Sequence, residues 1–523
     1  MLSSNLSLAD EIVFSIKKNA IQSTTISVSA PAYYRGVVNS DKPLESASII
    51  DEKSNTQKII LSHGVQNEIF WFAQHAGRYQ LLAKSGEDDT NVTVDIHSLA
   101  LKDDQYVSPK RVLLSPRLTR LASEIKENKH NALSQFWQEI EQTGSPLVED
   151  GQSAQTKLVT FLWRGPVENV RLLGAPYVGH DHLTELGSSN VWYASYEIPS
   201  DSRLSYRLAP NVPQLQESNW MEQRRAVLAT AGADPLNHEP LFAQDDVSFG
   251  VASTLTLKDA PSDVVTQPTA KYSGKVENHN LTSTILGNSR KVSTYMPNAR
   301  YPLSSASPLL IVFDGDDYLS KVPTSVILDN LIESGAIPPM AAVFVNPALP
   351  SLRGKELTPN APYGEFLTQE LKPWVCKTLN VCPSAENTIL TGSSFGGLAS
   401  MYYAFTYPEE FGNVLSQSGS FWWSPKNIAG EKHGDSNTLT DWMRESFDHA
   451  EKKPITIYMN AGRFETQPAS SNILQANTLL YQTLINKDYS VRFDVVSGGH
   501  DYFSWRVSLA DGLTYLFGQK TKN

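Results

Sequence analysis

The hexapeptide Gly392-Ser393-Ser394-Phe395-Gly396-Gly397 stands between an apolar strand-like run, Thr388-Ile389-Leu390, and a helix-like run that opens Leu398-Ala399-Ser400. A strand that turns sharply into a helix strains its central residue. The bend is tolerable only if residues two positions either side carry no clashing side chain. Gly392 and Gly396 meet that need, which makes Ser394 the expected nucleophile of an elbow. The unsatisfied N–H groups and positive dipole end of the following helix suit a substrate oxygen that gains negative charge. Phe395 N–H is the first such donor.

A serine hydroxyl is a weak nucleophile at neutral pH, so an elbow predicts a downstream acid and then a histidine base. His500 sits in VSGGHDYFSWR, where two glycines let a loop carry the imidazole back over a sheet; His433 lies in a polar loop and His449 on a charged helix. Glu465 in YMNAGRFET is the favoured acid, because the strand-like run PITIYMN ends just before it and Gly462 marks a turn. Asp435, Asp441 and Asp501 remain rivals, and a Ser/His dyad without a carboxylate stays open. A second oxyanion donor is expected after PLLIVFDG, from Asp316 N–H or next from Asp317. The carboxylates of Asp314, Asp316 and Asp317 read as turn formers rather than metal ligands, having no histidine nearby, and no metal or cofactor is expected.

These residues need a scaffold that alternates strand and helix. RKVSTYMP, PLLIVFDG, MAAVFVNP and NTILTG read as strands, and VPTSVILDNLIESG, FLTQELKPWVCKTL and GGLASMYYAFTYP as helices. That order predicts a parallel or mixed sheet with helices on both faces, an α/β-hydrolase domain over residues 286–523. Upstream, EIVFSIKK, STTISVSA, QKIILSHG, IFWFAQHAGRYQLLAKS and NVTVDIHS alternate like an accessory all-β sandwich over residues 1–125. Residues 126–285 read as a helix, HNALSQFWQEIEQTG, then a second β-sandwich-like domain, with 218–275 as a surface connector.

Bulk properties exclude other classes. A chain of 523 residues exceeds one core. The net charge of −11 and the lack of dense Lys/Arg runs argue against nucleic acid. The basic stretch at 110–130 has helix-like leucine spacing and reads as a solvated helical face or linker. No apolar segment reaches the roughly 20 residues needed to span a bilayer. Cys376 and Cys382 are close enough in sequence for a bridge, although two free thiols would need no partner.

Aromatic and basic residues crowd the chemistry. Phe421, Trp422 and Trp423 follow SQSGS, Trp505 and Arg506 follow the histidine, and Arg353, Lys355 and Arg463 lie in strand-end loops, a pattern that suits an aromatic anion. At these residues the sequence resembles the enterochelin (enterobactin) esterase family. The resemblance rests on LLIVFDGDDY, RGKELTPNAPYGEFLTQELKP, TGSSFGGLASMYYAFTYPEEFGNVLSQSGSFWWSP, NAGRFE and GGHDYFSWR, and upstream on FWQEIEQTGSPLVE, VTFLWRGP and DPLNHE. It implies Ser394, His500 and Glu465 as nucleophile, base and acid, and places Arg353, Glu356 and Asn360 in a substrate-side loop. It further implies hydrolysis of the trilactone of a catecholate siderophore, ferric or iron-free. The extra β domain departs from the family pattern and, with the cysteine pair, points to a periplasmic rather than cytoplasmic enzyme. The rival readings are an esterase for feruloyl or acetylated carbohydrate, and a noncatalytic siderophore or polysaccharide binder.

Overall fold

The computed structural model describes residues 11–53, 57–99, 110–165, 167–174, 176, 180–215, 220–241, 251–425, 441–466 and 471–518; His433 and Asp435 lie outside them. The described residues form four sheets in three successive units.

The first unit, from Ile12 to Leu99, is a single antiparallel sheet coiled around one core. Its organising strand, Ala32–Asp51, is absent from the segments read as strands above. Its first half pairs with Thr90–Leu99 and its second with Gly77–Ser85, while Gln57–Ala73 follows it on the other side. The register shifts between Asn39 and Leu44, and such irregularities bend a strand and let one sheet wrap toward a barrel. Trp71 fills the enclosed core, stacked on Tyr34 at 5.0 Å and edge-on to Tyr79 at 4.8 Å.

The second unit is a sandwich of a five-stranded and a four-stranded sheet. Helix Pro116–Lys126, from the basic stretch, buries Leu118 and Leu121 against helix Ala132–Thr143 and the sandwich, so it packs with this unit. The segment read as a connector supplies structure: helix Trp220–Thr230, and strands Pro240–Leu241 and Ala252–Thr256 that extend the five-stranded sheet. His180 is buried there. Desolvation, helped by Arg224 and Arg171, lowers its pKa to about 4. An unfolded histidine takes up a proton near pH 6.5 and the native one does not, so stability is full above that pH and falls as pH drops toward 4. Chemical denaturation is expected to give about 2 kcal/mol less stability at pH 5 than at pH 7 from this group, and His180→Gln should flatten that part of the slope.

The third unit carries the chemistry. Its eight strands run Lys275–Ser283, Asn288–Met296, Ala341–Val345, Leu309–Phe313, Thr388–Ser393, Asn413–Gln417, Thr456–Gly462, Ser490–Val496. The sheet thus begins upstream of residue 286. The pairings are antiparallel as far as Ala341–Val345 and parallel thereafter. The apolar run Leu309–Phe313 splits its side chains between two cores: Leu309, Ile311 and Phe313 face one, Leu310 and Val312 the other. Helices therefore cover both faces. From Leu309–Phe313 the chain passes first to one neighbour, Ala341–Val345, and then to the opposite one, Thr388–Ser393. Such a reversal opens a crevice at the carboxyl ends of the strands.

A buried ion pair fixes the loop beside this crevice. Arg290, 0% exposed at its side chain, holds Glu356 through two bonds of 2.9 Å and lies 4.6 Å from the Phe366 ring. Removing one partner strands a buried charge, so Glu356→Gln should lower unfolding stability by about 3–5 kcal/mol in denaturant titration. Exchanging both residues for apolar ones of similar volume should cost much less. Cys376 and Cys382 are bonded to each other.

Candidate active site

Ser394 follows the C-terminal end of strand Thr388–Ser393 and precedes helix Phe395–Thr406, with φ 59° and ψ −118°. A side chain rarely adopts that backbone, and the surroundings enforce it. A Cβ on Gly392 would lie 2.9 Å from the backbone of Gly396, so the turn closes only with glycine there. A Cβ on Gly396 would make ordinary contacts at 3.5 Å; the tighter second position is Gly397, whose Cβ would meet Ser416 Oγ at 2.7 Å and Gly419 Cα at 3.0 Å. The Ser394 side chain makes no capping bond to its helix, and its Oγ lies 3.2 Å from Ser420 Oγ. The first N–H groups of the helix, Phe395 foremost, are thus left for a ligand at the elbow.

Glu465 and His500 are paired, Oε1 to Nδ1. Glu465 is 2% exposed, and its other oxygen accepts from Ser418 Oγ at 2.8 Å and from Gly462 N–H. Trp505 Nε1–H donates to Ser418 Oγ at 2.9 Å, so a relay runs from indole to hydroxyl to carboxylate to imidazole. The histidine ring stands edge-on to Trp505 at 4.9 Å with its side chain about one-third exposed. A carboxylate on Nδ1 fixes the tautomer in which Nε2 is the free base.

The rival acids have other tasks. Asp501 caps helix Tyr502–Phe517 by accepting from Ser504 N–H at 2.9 Å, and burial raises its pKa. Asp441 pairs with Arg444. The three turn carboxylates are each on a cation: Asp314 with Arg353, Asp316 with Lys291, Asp317 with Lys321. Among the described residues no three His, Cys, Asp or Glu side chains are grouped to hold a metal ion.

Several residues expected to touch a ligand are engaged elsewhere. Asp316 N–H donates to Asn346 Oδ1 at 2.9 Å, which occupies the donor expected for the oxyanion. Glu356 belongs to the buried pair with Arg290. Asn360 caps the short helix Ala361–Glu365 and donates to Lys355 O. Trp505 is 4% exposed and supports Ser418, and Trp423, also 4% exposed, packs edge-on to Trp442. Arg506 donates to Lys321 O at 2.7 Å, and burial lowers its pKa.

Three of the expected residues keep part of their surface accessible. Trp422 is half-buried with its ring 6.0 Å from that of Phe395. Arg353 is one-third exposed and grips buried Asp314 through two bonds of 2.7 Å. Burial disfavours its cation, but the Asp314 carboxylate outweighs that and holds its pKa above the ordinary value. Arg463 is exposed on the turn that leads to Glu465. Ser418 and Ser420 were not singled out from the sequence; the run SQSGS was the available signal.

A serine at a strand-turn-helix elbow on an eight-stranded, mostly parallel sheet defines the class: a carboxylic ester hydrolase with the α/β-hydrolase architecture. Residues 283–516 match the esterase family model, and residues 158–265 match the model described as enterochelin esterase, N-terminal. The chain is 28% identical over 415 residues to the iron(III) enterobactin esterase of Dickeya dadantii, spanning 73% of this chain and 92% of that protein. It is 27% identical over 401 residues to the iron(III) salmochelin esterase of Escherichia coli O6:H1, spanning 74% and 94%. Among solved structures it resembles the enterobactin esterase of Shigella flexneri crystallised in the presence of enterobactin, with TM-score 0.57, 26% identity and coverage of 71% and 95%. It resembles the ferric enterobactin esterase of Salmonella typhimurium with TM-score 0.58, 26% identity and coverage of 72% and 96%. The chain belongs to the enterochelin esterase family.

Proposed function

We propose that this protein hydrolyses the serine ester bonds of a catecholate siderophore such as ferric enterobactin, and so releases iron. The observation that carries the reading is the Glu465–His500 pair on the same sheet edge as the Ser394 elbow, in a chain of this family. In the proposed reaction Ser394 Oγ turns from Ser420 and attacks an ester carbonyl while His500 Nε2 takes its proton. Such contacts commonly tighten only with substrate bound. Phe395 N–H stabilises the oxyanion, and His500 returns the proton to the departing serine hydroxyl. Water then repeats the sequence on the acyl-enzyme. Opening the ring releases the three catechols from a closed scaffold, and cutting the remaining esters unlinks them, which lowers their effective concentration at the metal and weakens chelation.

Trp422 offers an aromatic ring beside Phe395 at the elbow, and exposed Arg463 offers positive charge, the complement of a multiply anionic tris-catecholate, while the Arg353 cation is offset by Asp314. Arg463→Ala should raise KM for the ferric ligand about three- to fivefold, the scale of one exposed charge pair. The KM for neutral p-nitrophenyl acetate should not change. A competition assay tests the substrate: faster cleavage of feruloyl-sugar or acetyl-xylan esters than of enterobactin would reject the siderophore. The Cys376–Cys382 bond supports a periplasmic location, where disulfides persist. Recovery of the native protein in the cytosolic fraction after osmotic shock would reject that location.

A further inference from the structure

The acid and base stand on two turns, and both turns plug into the sandwich unit. Phe464, beside Glu465, is partly buried against the sandwich core that contains Val159, Phe161 and Leu204. Phe503, three residues beyond His500, packs with Leu241 and Ala252 of the same unit, and its ring lies 3.9 Å from the Arg203 guanidinium carbon. Arg203 begins strand Arg203–Pro210, is 6% exposed, and is held by Asp263. Its main-chain N–H donates to Ser497 O at 3.0 Å and its main-chain carbonyl accepts from Ser504 Oγ at 3.2 Å, while its side chain makes the Phe503 and Asp263 contacts. The approach is close enough that a Cβ on Gly498 would lie 3.0 Å from Arg203 O. Phe464 N–H in turn bonds Gly498 O, which ties the acid turn to the base loop.

We infer that the sandwich unit positions the catalytic pair: Arg203 is a positioning residue that holds the His500 loop, and through it the Glu465 turn, at working distance from Ser394. This rests on the proposed roles of Ser394, His500 and Glu465. A displacement of about 1 Å at a reacting group can cost about a hundredfold in rate, so a partial loosening should cost about tenfold.

The test is Arg203→Ala in the full chain, with p-nitrophenyl acetate as a probe too small to span the two units. The expected result is a kcat lowered about tenfold with KM within about twofold, and an equal fall in the rate of Ser394 labelling by a fluorophosphonate. Arg203→Lys should recover part of the loss. If Arg203→Ala does not fold, Ser504→Ala removes one bond to Arg203 O and should lower kcat about threefold in the same pattern. An unchanged kcat in the folded variants, or a change confined to KM for the trilactone, overturns the inference. Failure of the underlying reading shows separately: wild type that cleaves p-nitrophenyl acetate but not the trilactone refutes the substrate, and Ser394→Ala that still cleaves both refutes the nucleophile.

Discussion

Ser394→Ala should lower kcat for ester hydrolysis by about 10⁵- to 10⁶-fold, the scale seen when the nucleophile of a serine hydrolase is removed. Alanine fits the elbow sterically, because the strained backbone at φ 59° is imposed by neighbours: the Gly392–Gly396 approach and the bonds Ser394 N–H to Gln417 O and Ser420 N–H to Ser394 O. The melting temperature should therefore stay within a few degrees of wild type, and a stable but inactive variant is the expected outcome. Residual activity should reflect only binding and oxyanion stabilisation.

Glu465→Gln should lower kcat by about 10⁴-fold with little change in KM. The carboxylate accepts from Ser418 Oγ, from Gly462 N–H and from the imidazole, so every bond it makes is an acceptor bond. An amide has one oxygen and one donor group, and presenting the donor to Nδ1 moves the imidazole proton to Nε2, where it cannot accept from serine. Steady-state kinetics with p-nitrophenyl acetate reads this directly. A loss below tenfold would mean that His500 works without its acid, as in a dyad.

The elbow and the sheet around it were legible because both signals are local. Glycine spacing and an unbroken apolar run need no distant partner to be interpreted. The strand Ala32–Asp51 was not legible, since Ser40, Asp41, Lys42 and Pro43 interrupt its alternation at the place where the strand bends between two sets of neighbours. The strands at Pro240–Leu241 and Ala252–Thr256 are short and gain their place only by pairing within a sheet begun far upstream.

Site chemistry divides the same way. Residue type marks Arg, Glu and Trp as able to bind a ligand, but not whether the protein has already claimed them. Glu356 is claimed by Arg290, Trp505 by Ser418, Arg506 by Lys321 O and Asp316 N–H by Asn346. Each partner is remote in sequence, so no spacing rule could find it. Ser418 escaped for the same reason, because its work depends on a positive-φ turn after strand Asn413–Gln417 and on an indole from the last helix.

The most direct measurement is a timed digestion of ferric enterobactin by the purified wild-type protein, resolved by liquid chromatography and mass spectrometry, with Ser394→Ala run in parallel. Wild type should give successive gains of water that yield the linear trimer and then smaller catecholoyl-serine products, and the variant should leave the trilactone intact. Intact trilactone in the wild-type reaction, under conditions where p-nitrophenyl acetate is cleaved, would contradict the proposed function.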